Sequence, residues 1–276
     1  MSSRIHHLSC ATLCPAAGRV PGLMPSRLVA HCLLVEGPGG LTLVDTGFGT
    51  ADVADPAGRL GRTFALATGA RLSTADTAIA QVRALGFDPR EVGDIVLTHL
   101  DADHAGGISD FPWARVHVHR DELATARGRR GRLGRTRYSA RQWQHGPQWV
   151  EHAADGDDWF GFESVRAVGD DVLLVPLRGH TVGHCGVAVR RPSGGWFLHA
   201  GDSYFFRGEK QTPPSSPPGI RVFQAIMEMD HAARLANQDR LRELHAGSGD
   251  EVTIFCAHDE IEFDAAAAHI DGRTVR

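Results

Sequence analysis

The residues best suited to chemistry lie in one short run, which reads THLDADHAGG from residue 98 to residue 107. In extended backbone the side chains of His99 and Asp101 point the same way and can converge on one ion. Asp103 and His104 follow after a turn and can face a neighbouring position. Imidazole and carboxylate groups are ligands of zinc, iron and manganese. The run therefore predicts a metal-binding loop, and the alternative is a solvated acidic turn.

Such a loop needs strands and helices to position it. Apolar runs predict strands at Leu28–Val35, Leu41–Val44, Asp94–Thr98, Arg115–His119, Val172–Leu177, Cys185–Arg190, Gly195–His199 and Val252–Ala257. Helical spacing predicts helices at Thr74–Leu85, Arg120–Arg127 and Val222–Leu244, the last with an interruption near Asn237. The metal-binding loop then directly follows a short buried strand.

The chain contains a weak internal echo, since Val29–Gly47 resembles Val182–Asp202. Both segments read as an apolar strand, a Gly-Gly turn, a second apolar strand and a polar loop that carries an aspartate. The echo favours two similar α/β halves packed face to face, with their loops at one edge. We expect residues 1–276 to form a single domain made of these two halves.

With these motifs in order, the sequence resembles the metallo-β-lactamase-fold hydrolase superfamily over nearly its whole length. The resemblance rests on LVDTG with Asp45, on the HxDxDH run, on RGHTVGH with His180, on HAGDS with Asp202 and on CAHD with His258. It implies a four-layer αβ/βα sandwich with a dinuclear metal site at the sheet edge. Asp45, Thr98 and Thr181 would then hold the imidazole ligands in orientation.

The resemblance also implies which side chains bind each ion. The first ion would take His99, Asp101 and His180. The second would take Asp103, His104 and His258. Asp202 and a hydroxide would bridge the two ions.

The sequence departs from the family motif at Asp101, where histidine is usual. Three carboxylates and one hydroxide then neutralise two divalent ions, so the centre should be a weaker Lewis acid. The added oxygen ligand also shifts the preference toward iron or manganese. We expect two divalent ions, zinc first, with iron or manganese as alternatives. In a competing interpretation Asp101 does not ligate and only one ion binds well.

The implied activity is hydrolysis of a small carbonyl substrate (a lactone, ester, thioester or amide) by a metal-bridging hydroxide. Asp103 would orient the hydroxide and pass a proton to the leaving group. Tyr204 is a candidate hydrogen-bond donor to the substrate, and a packing role is its alternative. Two other functions stay open, a phosphodiester or phosphonate hydrolase and a di-iron redox protein.

The composition of the chain restricts the classes of partner that we expect. The 276-residue chain carries a net charge of −4 and a mean hydropathy of −0.20, so we expect neither a nucleic-acid partner nor a membrane span. Five cysteines without a CxxC motif are expected to be mostly buried thiols in the cytoplasm. Arg127–Arg141 holds seven arginines and is interpreted as a surface loop or as a cationic lid over the site. A small molecule is the expected partner, and the oligomeric state stays open.

Overall fold

In the computed structural model of the protein, which describes residues 4–128, 137–153 and 156–268, two large β-sheets dominate the architecture. The strands are β1 Ile5–Leu13, β2 Leu28–Gly37, β3 Gly40–Val44, β4 Ala70–Arg71, β5 Val92–Val96, β6 Arg115–His119, β7 Gln148–His152, β8 Asp158–Trp159, β9 Phe162–Glu163, β10 Val165–Val168, β11 Val172–Pro176, β12 Cys185–Arg190, β13 Trp196–His199 and β14 Val252–Phe255. The first sheet has the order β4-β1-β2-β3-β5-β6-β7 and the second the order β10-β11-β12-β13-β14. β8 and β9 pair separately.

The helices flank these sheets. They are α1 Thr50–Ala54, α2 Pro56–Arg59, α3 Arg62–Thr68, α4 Ala78–Ala84, α5 Ala102–Ala105, α6 Arg120–Gly128, α7 Pro218–Met227, α8 His231–Ser248 and α9 Glu260–Ala267. Among the described residues, no helix combines the length and the apolar character that crossing a bilayer requires.

The hydrophobic core consists of layers that match the arrangement of the sheets. Leu33, Val44 and Val96 of the first sheet pack against Val187 and Phe255 of the second, so the two sheets lie face to face. The outer face of the first sheet packs against α4 and α6, and that of the second packs against α8. Helix, sheet, sheet and helix therefore form four layers, which confirms the predicted αβ/βα sandwich.

The internal echo in the sequence corresponds to two hairpins. β2 pairs antiparallel with β3 in the first sheet, and β12 pairs antiparallel with β13 in the second. β3 and β13 each have a parallel partner on their other side, β5 and β14. We keep one domain with two similar halves as a proposal, which this repeated hairpin supports.

Several elements differ from the sequence prediction. The predicted helix Thr74–Leu85 begins only at Ala78, because the Thr77 hydroxyl accepts a hydrogen bond from Ala80 N and caps the helix there. The interruption predicted near Asn237 is wrong. α7 instead ends at Met227, and the Asp230 carboxylate caps α8. The sequence analysis predicts no strand at Ile5–Leu13, where the structure has β1. All five cysteines are free thiols and four are buried, which agrees with the expectation of mostly buried thiols.

Candidate metal centre

The chemically important residues come from loops that follow strands. The loop after β3 carries Asp45, and the loop after β5 carries the HxDxDH run. His180 lies between β11 and β12, while Asp202 and His258 follow β13 and β14. Because β3 with β5, and β13 with β14, are parallel, these loops emerge at one edge of the sandwich. The sheets therefore bring distant parts of the chain together at this edge.

The seven side chains form two adjoining groups, and all of them are buried. Each group offers ligand atoms that all lie within 4.8 Å of one another: His99, Asp101, His180 and Asp202 in the first group, and Asp103, His104 and His258 in the second. We call these the first group and the second group.

Distances within the first group match a small metal ion. His180 Nε2 lies 3.1 Å from Asp101 Oδ2 and 3.2 Å from Asp202 Oδ2. His99 Nε2 lies 3.3 Å from Asp101 Oδ2. Ligand atoms around a tetrahedral ion at zinc–nitrogen distances are separated by about 3.4 Å. The spacing therefore leaves room for one ion at their centre.

Asp202 connects the two groups. Its Oδ2 faces His180 in the first group, while its Oδ1 lies 3.2 Å from His104 Nε2 and 3.1 Å from His258 Nε2. Asp103 Oδ2 lies 3.7 Å from His258 Nε2. One carboxylate oxygen thus points at each group, which is the arrangement a bridging ligand needs.

Hydrogen bonds outside the groups orient the imidazoles. Asp45 Oδ2 accepts from His104 Nδ1 and from the Thr98 hydroxyl, each at 2.8 Å, and the hydroxyl in turn accepts from His99 Nδ1 at 2.9 Å. His258 Nδ1 donates to the Val29 carbonyl at 2.6 Å. Since Nδ1 carries the proton in these three rings, the Nε2 lone pairs of His99, His104 and His258 point into the groups.

Burial and charge agree with a cation site. Burial alone would lower the pKa of His104, but the Asp202 and Asp45 carboxylates outweigh it and hold that pKa well above its usual value. Burial would likewise raise the pKa of Asp202, yet its histidine neighbours hold it well below its ordinary range. In the second group the carboxylates thus favour positive charge beside His104 and His258, which is the charge that a bound ion would supply. In the first group burial and the Arg137 guanidinium lower the pKa of His180 to about 4.

Two loop features keep Asp202 in place. Gly201 has φ +55°, and a Cβ there would lie 2.5 Å from His184 Nε2, so the close approach requires glycine. His184 Nε2 accepts from Asp202 N at 2.9 Å, and its Nδ1 donates to the Leu177 carbonyl at 2.8 Å. His184 therefore ties the bridging loop to the β11–β12 connection.

Tyr204 lies outside the two groups. It is buried in the core beneath the second sheet, and its hydroxyl donates to the Glu262 carboxylate at 3.1 Å. Phe205 faces the site instead, and its ring stacks on His258 with an interplanar angle of 12°. The structure therefore favours the packing alternative for Tyr204 over contact with a substrate.

Sequence reasoning gave no role to Glu122 of α6. Its fully buried carboxylate accepts from Leu100 N and the Tyr138 hydroxyl through one oxygen, and from the Thr181 hydroxyl and Gly183 N through the other. One side chain thus joins the loop of His99 to the loop of His180. A glutamate in a short amphipathic helix gives no sequence signal for this role.

Arg137 is the other residue whose place the sequence did not predict. Its Nε donates to both oxygens of Asp101, at 2.7 and 2.9 Å, and its Nη2 lies 2.6 Å from His180 Nε2. Although burial would raise the pKa of Asp101, Arg137 and His99 hold it well below its usual range. The predicted loop Arg127–Arg141 therefore contributes a buried cation, and its residues 129–136 lie outside the described part of the chain.

The comparisons with known proteins give the family. Residues 26–258 match the family model described as the metallo-beta-lactamase superfamily. The chain belongs to this superfamily. A probable metallo-hydrolase of Mycobacterium tuberculosis is 40% identical to it over 259 residues, which are 93% of this chain and 80% of the relative. This member of the metallo-beta-lactamase superfamily is a metal-dependent hydrolase.

Two further similar proteins are a homoserine lactonase and a solved structure with a homoserine derivative bound. The N-acyl homoserine lactonase AttM of Azorhizobium caulinodans is 31% identical over 166 residues, which are 60% of this chain and 61% of that protein. The solved structure of a B. thuringiensis AiiA mutant has N-decanoyl-L-homoserine bound at its active site. It covers 99% of this chain and 98% of its own, with a TM-score of 0.73 and 19% identity. At that identity the likeness supports the fold alone.

Proposed function

We propose that this chain binds two divalent ions, one in each group, and hydrolyses a small carbonyl substrate, a lactone above all. The observation that carries the proposal is an apolar cavity of about 520 Å³ whose floor is formed by five of the proposed ligands. These are Asp101, Asp103, His180, Asp202 and His258. A substrate in the cavity would present its reactive carbonyl to the metal centre.

The donor atoms suit divalent metal ions. His99 Nε2, His104 Nε2 and Asp202 Oδ1 are buried and have no hydrogen-bond partner within the described part of the chain. Buried polar atoms without a partner are costly, and two bound ions, one in each group, would satisfy all three. Imidazole nitrogens and carboxylate oxygens suit zinc, and the carboxylate of Asp101 leaves iron and manganese as alternatives.

When bound, the ions supply an activated water nucleophile and polarise the carbonyl under attack. The protein's part is to orient its own ligands, and Asp45, Thr98 and Glu122 do so through the hydrogen bonds described above. Asp103 lies on the cavity floor, where its carboxylate can hold the proton destined for the leaving group.

The walls of the cavity favour a substrate with an apolar group. They are formed by residues of β1, the segment before β2, α3, α7 and the loop after β13, including Leu13, Met24, Phe64, Phe205, Val222, Phe223 and Ile226. Among the described residues, no lysine or arginine lines the cavity, so a phosphate group would find no cationic clamp. The relatives named as homoserine lactonases give independent support for a lactone. The free thiols support the cytoplasmic location expected from the sequence.

The test is a substrate panel of N-acyl homoserine lactones with graded acyl chains, nitrophenyl esters and bis-nitrophenyl phosphate. We expect lactone hydrolysis whose kcat/KM rises with acyl length, because each buried CH₂ contributes about 0.8 kcal/mol. Chelation should abolish the activity and zinc should restore it. Faster cleavage of the phosphodiester, or rates independent of acyl length, would contradict the proposal.

A matched pair of variants tests the cavity itself. Ile226 is 66% exposed at the cavity mouth, and Leu235 is 41% exposed on α8 away from it. Ile226→Gln should lower kcat/KM for the longest acyl chain by about three- to tenfold and leave the shortest chain unchanged. Leu235→Gln should change neither value. Equal effects of the two substitutions would contradict the assigned cavity.

A further inference from the structure

Arg137 places a permanent positive charge against the first group. Only 1% of its side chain is exposed. Besides its contacts with Asp101 and His180 Nε2, its Nη1 donates to the carbonyls of His180 at 3.0 Å and of Met227 at 2.7 Å. Four acceptors on three parts of the chain thus fix one guanidinium at the edge of the site.

The contact with His180 has a direct consequence for an ion in the first group. Nη2 donates to the Nε2 lone pair, and this is the same lone pair that an ion between His180 and Asp101 would use. An incoming ion must therefore break this hydrogen bond. It must also share the Asp101 carboxylate with the guanidinium, whose charge repels it.

The second group has different neighbours. The Nδ1 atoms of its histidines, His104 and His258, donate to the Asp45 carboxylate and to the Val29 carbonyl. Both of these acceptors increase the electron density at Nε2 and strengthen metal binding. Thus a guanidinium lies against one histidine of the first group, His180, whereas the histidines of the second group donate to a carboxylate and to a carbonyl.

We propose that Arg137 is a built-in competing cation, which weakens ion binding at the first group relative to the second. The inference rests on the proposed two-ion site and adds an unequal affinity to it. Asp101 adds negative charge where the family motif has a neutral histidine, and Arg137 cancels that charge. Together Asp101 and Arg137 carry no net charge, as does the neutral histidine that the family motif has at this position.

A purely structural role for Arg137 and the proposed competing role predict opposite changes in metal affinity when the side chain is replaced. If the guanidinium only held Asp101 and the His180 loop in place, its removal would misplace two ligands and weaken ion binding. If it competes with the ion, removal of the charge strengthens binding at the first group. The direction of the change in zinc affinity therefore separates the two roles.

The experiment is a Zn²⁺ titration of the metal-free full-length protein against a chromophoric chelator, which gives stoichiometry and both affinities. We expect wild type to bind two equivalents with unequal affinity. Arg137→Met should tighten the weaker site at least tenfold and leave the tighter site within about twofold. Arg137→Lys keeps the charge and should stay near wild type. Arg141→Met removes a 58% exposed arginine nearby and should change neither site.

Folding of each variant is checked by near-UV circular dichroism. Arg137→Gln, which retains a donor for the two carbonyls, replaces the Met variant if that variant does not fold. Weaker or unchanged zinc binding in the charge-removing variant would overturn the role of Arg137 while leaving the two-ion site intact. Wild-type binding of less than one equivalent would overturn the proposed function and the inference together.

Discussion

The prediction that probes the site most sharply is Asp45→Asn. Asp45 has φ +54°, a conformation that asparagine tolerates well, so the backbone should be retained. The carboxylate accepts three hydrogen bonds, from Thr98 N, from the Thr98 hydroxyl and from His104 Nδ1, all at 2.8 Å. An amide group in its place presents a donor to one side of this network.

The consequence concerns the proton on His104. If the new NH₂ group faces Nδ1, the ring must carry its proton on Nε2, which then points at Asp202 Oδ1, 3.2 Å away. The lone pair needed by an ion in the second group is lost. Groups that orient a metal-binding histidine change metal affinity by about 10- to 100-fold. This corresponds to about 1.4 to 2.7 kcal/mol of binding free energy.

The assay is the zinc titration described above, with lactone hydrolysis measured in parallel. Asp94→Asn is the matched control, because Asp94 also accepts from a histidine, His117 Nε2 at 2.8 Å, but belongs to neither group. We expect the control to bind zinc as wild type does. Wild-type zinc affinity in Asp45→Asn would refute the argument that this carboxylate sets the His104 tautomer.

Three further predictions concern Glu122, Tyr204 and His7. Glu122→Gln should lower the free energy of unfolding by about 2 to 4 kcal/mol, since two buried donors lose their acceptor. Denaturant unfolding measures this change, and Glu151→Gln, at an exposed glutamate, should alter the free energy of unfolding little. Tyr204→Phe should keep kcat within about twofold while lowering Tm, since the hydroxyl bonds to Glu262; a tenfold fall in kcat would support substrate contact. Burial and neighbouring histidines lower the pKa of His7 from 6.5 to about 4, so unfolding binds a proton between these values and stability falls on acidification. His7→Gln should reduce that slope, by at most about 1.4 kcal/mol per pH unit, and an unchanged slope would contradict this.

The sequence was sufficient for the elements with strong local signals. Arg115–His119 and Cys185–Arg190 are observed with the predicted bounds, because valines alternate with other residues in each of these short segments. Helix bounds were less well predicted, since capping by Thr77 and Asp230 decided them rather than apolar spacing. Several polar residues near each helix end could serve as the N-cap, and the spacing of apolar residues alone does not tell which of them does.

The site was predictable where its residues form a motif. The run from His99 to His104 supplies four of the seven clustered side chains, and the ordered motifs carried by the resemblance supplied the other three. Arg137 and Glu122 were not predictable as site residues, because their importance comes from contacts across 36 and 59 residues of chain. Local patterns carry no information on which arginine of a repetitive segment turns inward.

The most direct test of the central claim is anomalous diffraction at the metal absorption edge from crystals grown with excess zinc. The account predicts two anomalous peaks about 3.5 to 4 Å apart. One should lie among His99, Asp101 and His180, the other among Asp103, His104 and His258, with Asp202 between them. A single peak elsewhere, or no peak within either group, would contradict the proposal that these loops assemble a two-metal hydrolytic centre.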